Sequence, residues 1–308
     1  MAIAGGNITL DSTEGIDKIS QTEKVTSPYF SDGTTELLAA SIVTSSLSDT
    51  NETYFFGISN SSTPTVEEFN VAFGSTRGYG SKVEANTKAE TEAIYKQYSN
   101  LLLAPTEVTG GFVISSPGSA GALGSGKDTE IFVLSARRSN MKDRINKGSW
   151  KVSLSGSSQT GVAASTVAGT DGLLHLKDDS STTEATATPV GDRYNIVSCS
   201  SAGTIAAAAT TRNFGFFYPD MGIMVFSQQE LSASIPGSGS HALHRTVAFN
   251  STDHKGFTVS TDTDNNEKTA MRFINCLTSV GNTTGTGAKL TFRDEEDQVS
   301  AQYFCRVR

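Results

Sequence analysis

Between residues 111 and 226 the chain carries seven short apolar runs, none longer than an ordinary strand and most closed off by Gly, Asn, Asp or Ser. They are 111–115 (GFVIS), 130–136 (EIFVLSA), 150–154 (WKVSL), 173–177 (LLHLK), 194–199 (YNIVSC), 213–218 (NFGFFY) and 222–226 (GIMVF). Runs this short, with a turn signal at each end, are too brief to pack as helices and predict antiparallel strands. The 150–154 run alternates apolar and polar residues, as a half-buried strand does. Composition agrees: 40 Ser and 38 Thr among 308 residues favour strands and turns over helices. The predicted fold class is mainly β. It is an antiparallel β-sandwich or barrel with one or two short helices and long Ser/Thr/Gly-rich loops.

The clearest helical pattern covers 86–103, where Ile94, Tyr98, Leu101 and Leu102 fall on one face and Pro105 ends the run. Glu92 precedes Lys96 by four residues in the favourable order. A weaker helical pattern covers 267–280, with Met271, Ile274 and Leu277/Thr278 on one side. A strand is predicted at 53–58, ending before Pro64, and another at 302–307. Residues 1–50 read as an arm or edge segment ordered by a partner. These features predict an N-terminal arm and strand-helix region over 1–105. A β-rich domain follows over 106–308, with long insertions at 156–171, 178–191 and 227–244.

Lys and Arg (24) are outnumbered by Asp and Glu (32), which argues against nucleic-acid binding through a basic patch. No apolar run approaches the about 18 residues of a membrane span, so no membrane insertion is expected. The first residues lack a basic stretch followed by an apolar one, so no secretory signal is expected. Cys199, Cys276 and Cys305 form no CxxC pair and read as free thiols.

The motifs that resemble chemical sites do not complete one. Residues 121–128 (GALGSGKD) follow a phosphate-binding loop until Asp128 takes the hydroxyl position, and a strand follows where a helix is required. A hairpin turn is the expectation. Asp262, Asp264 and Asn266 start a calcium-loop pattern that Glu267 and Phe273 break. His241 and His244 lack a helical framework for a metal. No cofactor, metal or catalytic residue is predicted. The acidic run 294–297 (DEED) reads as a solvated face.

Two features point instead to contacts. Arg137, Arg138, Lys142 and Arg144, with Lys147 close behind, gather five of the 24 cationic side chains. They read either as a docking patch for an acidic neighbouring subunit or as a solvated turn. Phe214, Phe216 and Tyr218 alternate along one strand, and a turn at Pro219–Gly222 leads into a nearly all-apolar return strand ending at Phe226. Such a hairpin must be covered on both faces, by its own core or by another subunit. Phe216, Tyr218 and Phe226 are therefore candidate interface residues alongside the four basic ones.

Three segments carry a family resemblance. They are 130–156 (EIFVLSARRSNMKDRINKGSWKVSLSG), 213–226 (NFGFFYPDMGIMVF) and 300–308 (SAQYFCRVR). In this order they resemble virion structural proteins of T4-like contractile-tailed phages, especially those infecting marine cyanobacteria. The resemblance implies a structural subunit of the tail, baseplate or neck, assembled in the host cytoplasm and resident in the virion. Its partners would be copies of itself and other virion proteins, with no catalysis. Two other functions remain open from sequence. One is a host-receptor or glycan-binding fibre or adhesin module, which needs an exposed aromatic platform that Trp150, the lone Trp, is poorly placed to give. The other is a glycoside hydrolase, which needs a pair of carboxylates about 5–10 Å apart.

Overall fold

A computed structural model of the chain describes residues 16–28, 37–38, 54–60, 63–76, 78, 90–108, 111–114, 127–155, 173–205, 213–228, 230–231, 247–249, 257–259, 270, 273, 277, 290–291 and 293–305. In chain order the strands and helices begin with β1 (Ile16–Pro28), β2 (Leu37–Leu38), β3 (Phe55–Asn60), β4 (Thr63–Ser75), α1 (Glu90–Leu102) and α2 (Pro105–Val108). Next come β5 (Glu130–Ala136), β6 (Arg144–Ile145), β7 (Lys151–Ser155), β8 (Leu173–Asp178), β9 (Thr186–Thr188) and β10 (Gly191–Cys199). Then follow β11 (Gly215–Tyr218), β12 (Ile223–Ser227), β13 (Val247–Phe249), β14 (Phe257–Val259), β15 (Leu290–Thr291) and β16 (Arg293–Cys305). The fold is mainly β and antiparallel, with the main sheet curled into a half-barrel. Among the described residues no helix is long and apolar enough to cross a membrane.

The main sheet has eleven strands. Its order is β15-β7-β8-β10-β11-β12-β5-β4-β3-β2, with β9 paired to β10 off that path. Its two faces bury separate apolar clusters. One gathers Phe56, Phe69 and Phe73 with Phe132, Trp150, Phe217, Met224 and Phe226. The other packs Ile131, Val133, Phe216, Tyr218, Ile223 and Val225 under Ile94, Tyr95, Tyr98 and Leu102 of α1. Each large side chain removed from water this way contributes about 1.5–3 kcal/mol, so the body draws its stability from these two layers. The helix can lie this close because β4 has a glycine beneath it. A Cβ on Gly74 would come within 3.0 Å of the backbone N and Cα of Tyr95.

The seven predicted runs give six strands. Residues 111–114 form no strand; the Phe112 N–H donates to the Tyr95 hydroxyl at 3.1 Å, and its carbonyl accepts the Asp128 N–H at 2.7 Å. Helix α1 covers Glu90–Leu102 of the predicted stretch, residues 86–89 lie outside the described residues, and Leu101 lies on the exposed side. Pro105 does more than stop α1, because it opens α2. There its missing N–H costs nothing, and Glu107 reaches back to accept the Ala104 N–H at 3.2 Å. In the 267–280 stretch the described residues Ala270, Phe273 and Leu277 are helical and buried. Of the predicted face Leu277 is buried, and Met271, Ile274 and Thr278 lie outside the described residues. Strand β4 went unforeseen, because Pro64 and the Glu67–Glu68 pair interrupt its apolar pattern. The division expected at residue 105 does not part the sheet, since β4 pairs with β5 from Phe69↔Ala136 to Ser75↔Glu130. The loop predicted over 178–191 contains β9. Residues 156–171 and the 241–244 histidines lie outside the described residues, as do the Asp262–Asn266 loop and most of 227–244.

The second sheet is a ribbon. β1 and β16 pair antiparallel over thirteen residues each, from Ile16↔Cys305 to Pro28↔Arg293. At about 3.3 Å per residue it is about 40 Å long. The described side chains of β1 (residues 21–26) are exposed, and so are 297–301 of β16. The ribbon meets the body through β6, which pairs only with Asp294 and Glu295. Part of the predicted N-terminal arm is thus a strand held by the far end of the chain.

Candidate functional site: a charged clasp at the root of the ribbon

A two-stranded ribbon is marginal in water by itself. Its described part has no apolar core, so its attachment depends on the contacts at its root. Those contacts join the two charge motifs of the sequence. Arg144 Nε donates to Glu295 Oε1 at 2.8 Å and Nη2 donates to Asp297 Oδ2 at 2.5 Å. Lys142 Nζ donates to Glu296 Oε2 at 2.5 Å. Asn146 Nδ2 donates to Glu295 Oε2 at 2.5 Å, and Lys24 of β1 sits 3.3 Å from Glu295 Oε1. Backbone bonds tie the same root. The Asn146 N–H donates to the Arg293 carbonyl at 2.8 Å, and the Asp297 N–H donates to Asp143 Oδ2 at 2.9 Å.

The energetics concentrate on Glu295, whose side chain is 5% exposed. Burial alone would raise its carboxyl, but hydrogen bonds from Arg144, Asn146 and Lys24 outweigh burial and hold it below the usual range. Glu296 is also held low, by Gln298 and then by Lys142. Asp297 and Glu295 together raise the Arg144 guanidinium, which stays charged throughout. The acidic run is therefore not a solvated face: Asp294 and Glu295 are buried and the run is one half of the clasp.

The body side is positioned by the turn after β11. The Ile145 N–H donates to the Pro219 carbonyl at 3.1 Å, and so does the Gly222 N–H. Gly222 takes φ +66, and a Cβ there would strike Met141 Sδ at 2.6 Å. Arg138 Nη1 donates to the Asp143 carbonyl at 2.8 Å and to that of Asp220 at 3.3 Å. The turn residues thus seat the 138–146 segment, which in turn holds the ribbon.

The predicted contact residues divide. Lys142 and Arg144 find their acidic partners within the chain, so the neighbouring acidic surface expected for them is β16 itself. Arg137 and Arg138 are exposed. Phe216, Tyr218 and Phe226 are buried and serve as core rather than contact residues, because α1 covers one face of their hairpin and the aromatic cluster covers the other. Phe214, just before β11, packs in the cluster opposite to that of Phe216. Trp150 is fully buried against Phe217, with ring centroids 5.2 Å apart, and offers no surface platform.

Two buried polar groups escaped sequence reasoning. Asp128, from the phosphate-loop look-alike, accepts the Ile114 N–H at 2.7 Å and the Ser227 hydroxyl, and its carbonyl accepts the Tyr95 hydroxyl at 2.7 Å. It ties the 111–114 segment and the end of β12 to the start of β5. Ser153, His175 and Cys199 form a row across β7, β8 and β10. Ser153 Oγ and His175 Nδ1 share a hydrogen bond at 2.7 Å, and burial pushes the Cys199 thiol up to about 11. A thiol held there is protonated at neutral pH, the wrong state for a nucleophile. All three side chains are buried, and their order on three strands is invisible to local pattern. Among the described residues no three His, Cys, Asp or Glu side chains group as a metal site. No family model, curated protein or solved structure matches the chain.

Proposed function

We propose that the chain is a structural subunit of a particle, acting by stoichiometric protein–protein binding, and that the terminal ribbon is its contact element. The observation that carries this is the ribbon itself. Nature rarely leaves a long open-edged pair of strands exposed, because unpaired N–H and C=O groups recruit further strands. Here the edge is built from both ends of the described chain and fastened to the body by a dedicated clasp. A strand pair with little core of its own gains order and affinity together when a neighbour adds to it. The sequence resemblance to virion proteins of T4-like phages supplies the setting: a tail, baseplate or neck component assembled in the host cytoplasm. The test is copurification. Virions carrying the intact chain should contain it in fixed stoichiometry, and a form lacking residues 1–28 should fold its body but be lost from particles. Full incorporation of the truncated form would refute the ribbon's role.

A further inference from the structure

We propose that Glu130, Gln228 and Ser75 form a binding site for a monovalent metal cation of the sodium or potassium class, buried at one end of the main sheet beside the first apolar cluster. Such a site is independent of the assembly role.

Strand register brings the three residues together. Ser75 of β4 lies opposite Glu130 of β5. Gln228, just past β12, is still held in the ladder, because its N–H donates to the Glu130 carbonyl at 3.2 Å. Residues opposed across antiparallel strands share a face, with Cβ atoms about 4.5–5.5 Å apart. The neighbouring row on that face is Phe73, Phe132 and Phe226, so the polar row continues the aromatic layer of the first cluster. All three polar residues are buried, Glu130 to 4% exposure and Gln228 to 3%.

Buried polar groups are nearly always paired, and a buried charge needs a partner most of all. Glu130 accepts from the Ser75 hydroxyl at 3.5 Å and from the Thr129 hydroxyl, both of them neutral donors. Among the described residues no Lys, Arg or His pairs with it. Gln228 Oε1 is buried and accepts no hydrogen bond. A carboxylate without a counter-charge and an amide oxygen without a donor, side by side, are both satisfied by one cation. Carboxylate, amide carbonyl and hydroxyl oxygens are the donor set of hard metal ions. The charge of the row selects among those ions. Glu130 is its one acid, because Asp128 reaches the Ser227 hydroxyl, on the face of the second cluster. A monovalent ion leaves the row neutral, whereas a divalent ion leaves a net charge out of water, which is costly. Exposed Thr76, whose N–H donates to the Thr129 carbonyl at 2.8 Å, borders the row and gives an ion its way in.

The test is thermal unfolding of the full chain as tetramethylammonium chloride is replaced by sodium or potassium chloride at constant ionic strength. Tetramethylammonium is too large for the row and supplies the same screening. A site half-filled at about 2 mM lowers the unfolding constant about 100-fold at about 200 mM, which raises Tm by several degrees. Glu130→Gln keeps the side chain's size and removes its charge, and should abolish the cation dependence. Gln228→Leu removes the amide oxygen and should raise the half-filling concentration at least about tenfold, a second reading should Glu130→Gln fail to fold. Equal stability in all three chlorides would overturn the inference and leave the Gln228 amide turned to donate to Glu130 in its place. A cation preference that both variants keep would overturn it as well.

Discussion

Replacing Arg144 by Met keeps the aliphatic stem and removes the charge that joins β6 to β16. The cost divides between two acceptors. The bond to Asp297 ends on a carboxylate 36% exposed, and exposed ion pairs contribute about 0.2–1 kcal/mol. The bond to Glu295 ends on a carboxylate 5% exposed, and hydrogen bonds to charged groups are worth about 1.5–3 kcal/mol. Glu295 keeps Asn146 and Lys24, so the loss stays near the lower part of the sum, about 2–3 kcal/mol. This loss falls on attachment of the ribbon and not on the body, because β6 is itself held to the body by Ile145, buried in the first apolar cluster. Amide exchange of β1 and β16 should therefore accelerate about 30- to 150-fold. The amides of β5, β10 and β12 should exchange as before. Unchanged exchange in the ribbon would refute the clasp. An equal acceleration in the body would show that ribbon and body unfold as one unit, contrary to the two-residue junction at β6.

Other outcomes follow from the same geometry. Asp128→Ala should destabilise the body by about 3 kcal/mol, because it strands the buried Ile114 N–H and Ser227 hydroxyl, and calorimetry would read this as a Tm lowered by several degrees. Gly74→Ala should cost about 1–3 kcal/mol, since the added methyl meets the α1 backbone and not a side chain that can swing away; denaturant unfolding would measure it. Acid should release the ribbon before it unfolds the body. Glu295 and Glu296 are held below their ordinary values, so their contribution is present above the unfolded carboxylate range near pH 4.5 and is lost as pH falls through their folded values. The side-chain amide protons of Asn146, bonded to Glu295, should report that titration.

The legible parts of the fold are those where one element's own pattern decides its fate. β5, β7, β8, β10, β11 and β12 each bury apolar residues in a short run, and each appears within a few residues of its predicted place. The double coverage of the β11–β12 hairpin was likewise readable, because Phe216, Tyr218, Met224 and Phe226 leave no polar face. The ribbon was readable only at its end: the strand expected at 302–307 overlaps β16 at 302–305, but β1 (IDKISQTEKVTSP) and the rest of β16 (RDEEDQVSAQYFC) mix charged, polar and apolar residues with no clean alternation. What makes them strands is each other, at a separation of almost the whole chain. The clasp was half readable. Both charge motifs stood out, but each was weighed as a surface facing outward, because nothing local says that residues 142–146 and 294–297 are neighbours.

That pairing alters how the chain would meet a partner. Lys142, Arg144 and Lys147 are engaged internally, Lys147 with the Tyr194 hydroxyl at 2.9 Å. Much of the most concentrated positive charge in an acidic chain is therefore spent on its own ribbon. Among the described residues no strand pairs with β16 on that edge beyond β6, and the side chains at 298–301 are Gln, Val, Ser and Ala, with little charge. Contact through such an edge is made by main-chain hydrogen bonds and read by alternate side chains, so it depends on register and fit more than on ionic strength. The assembly role proposed above, free before docking and held firmly afterwards, fits that division. Charge fixes the arm to its own body, and the unfilled ladder is left for the neighbour.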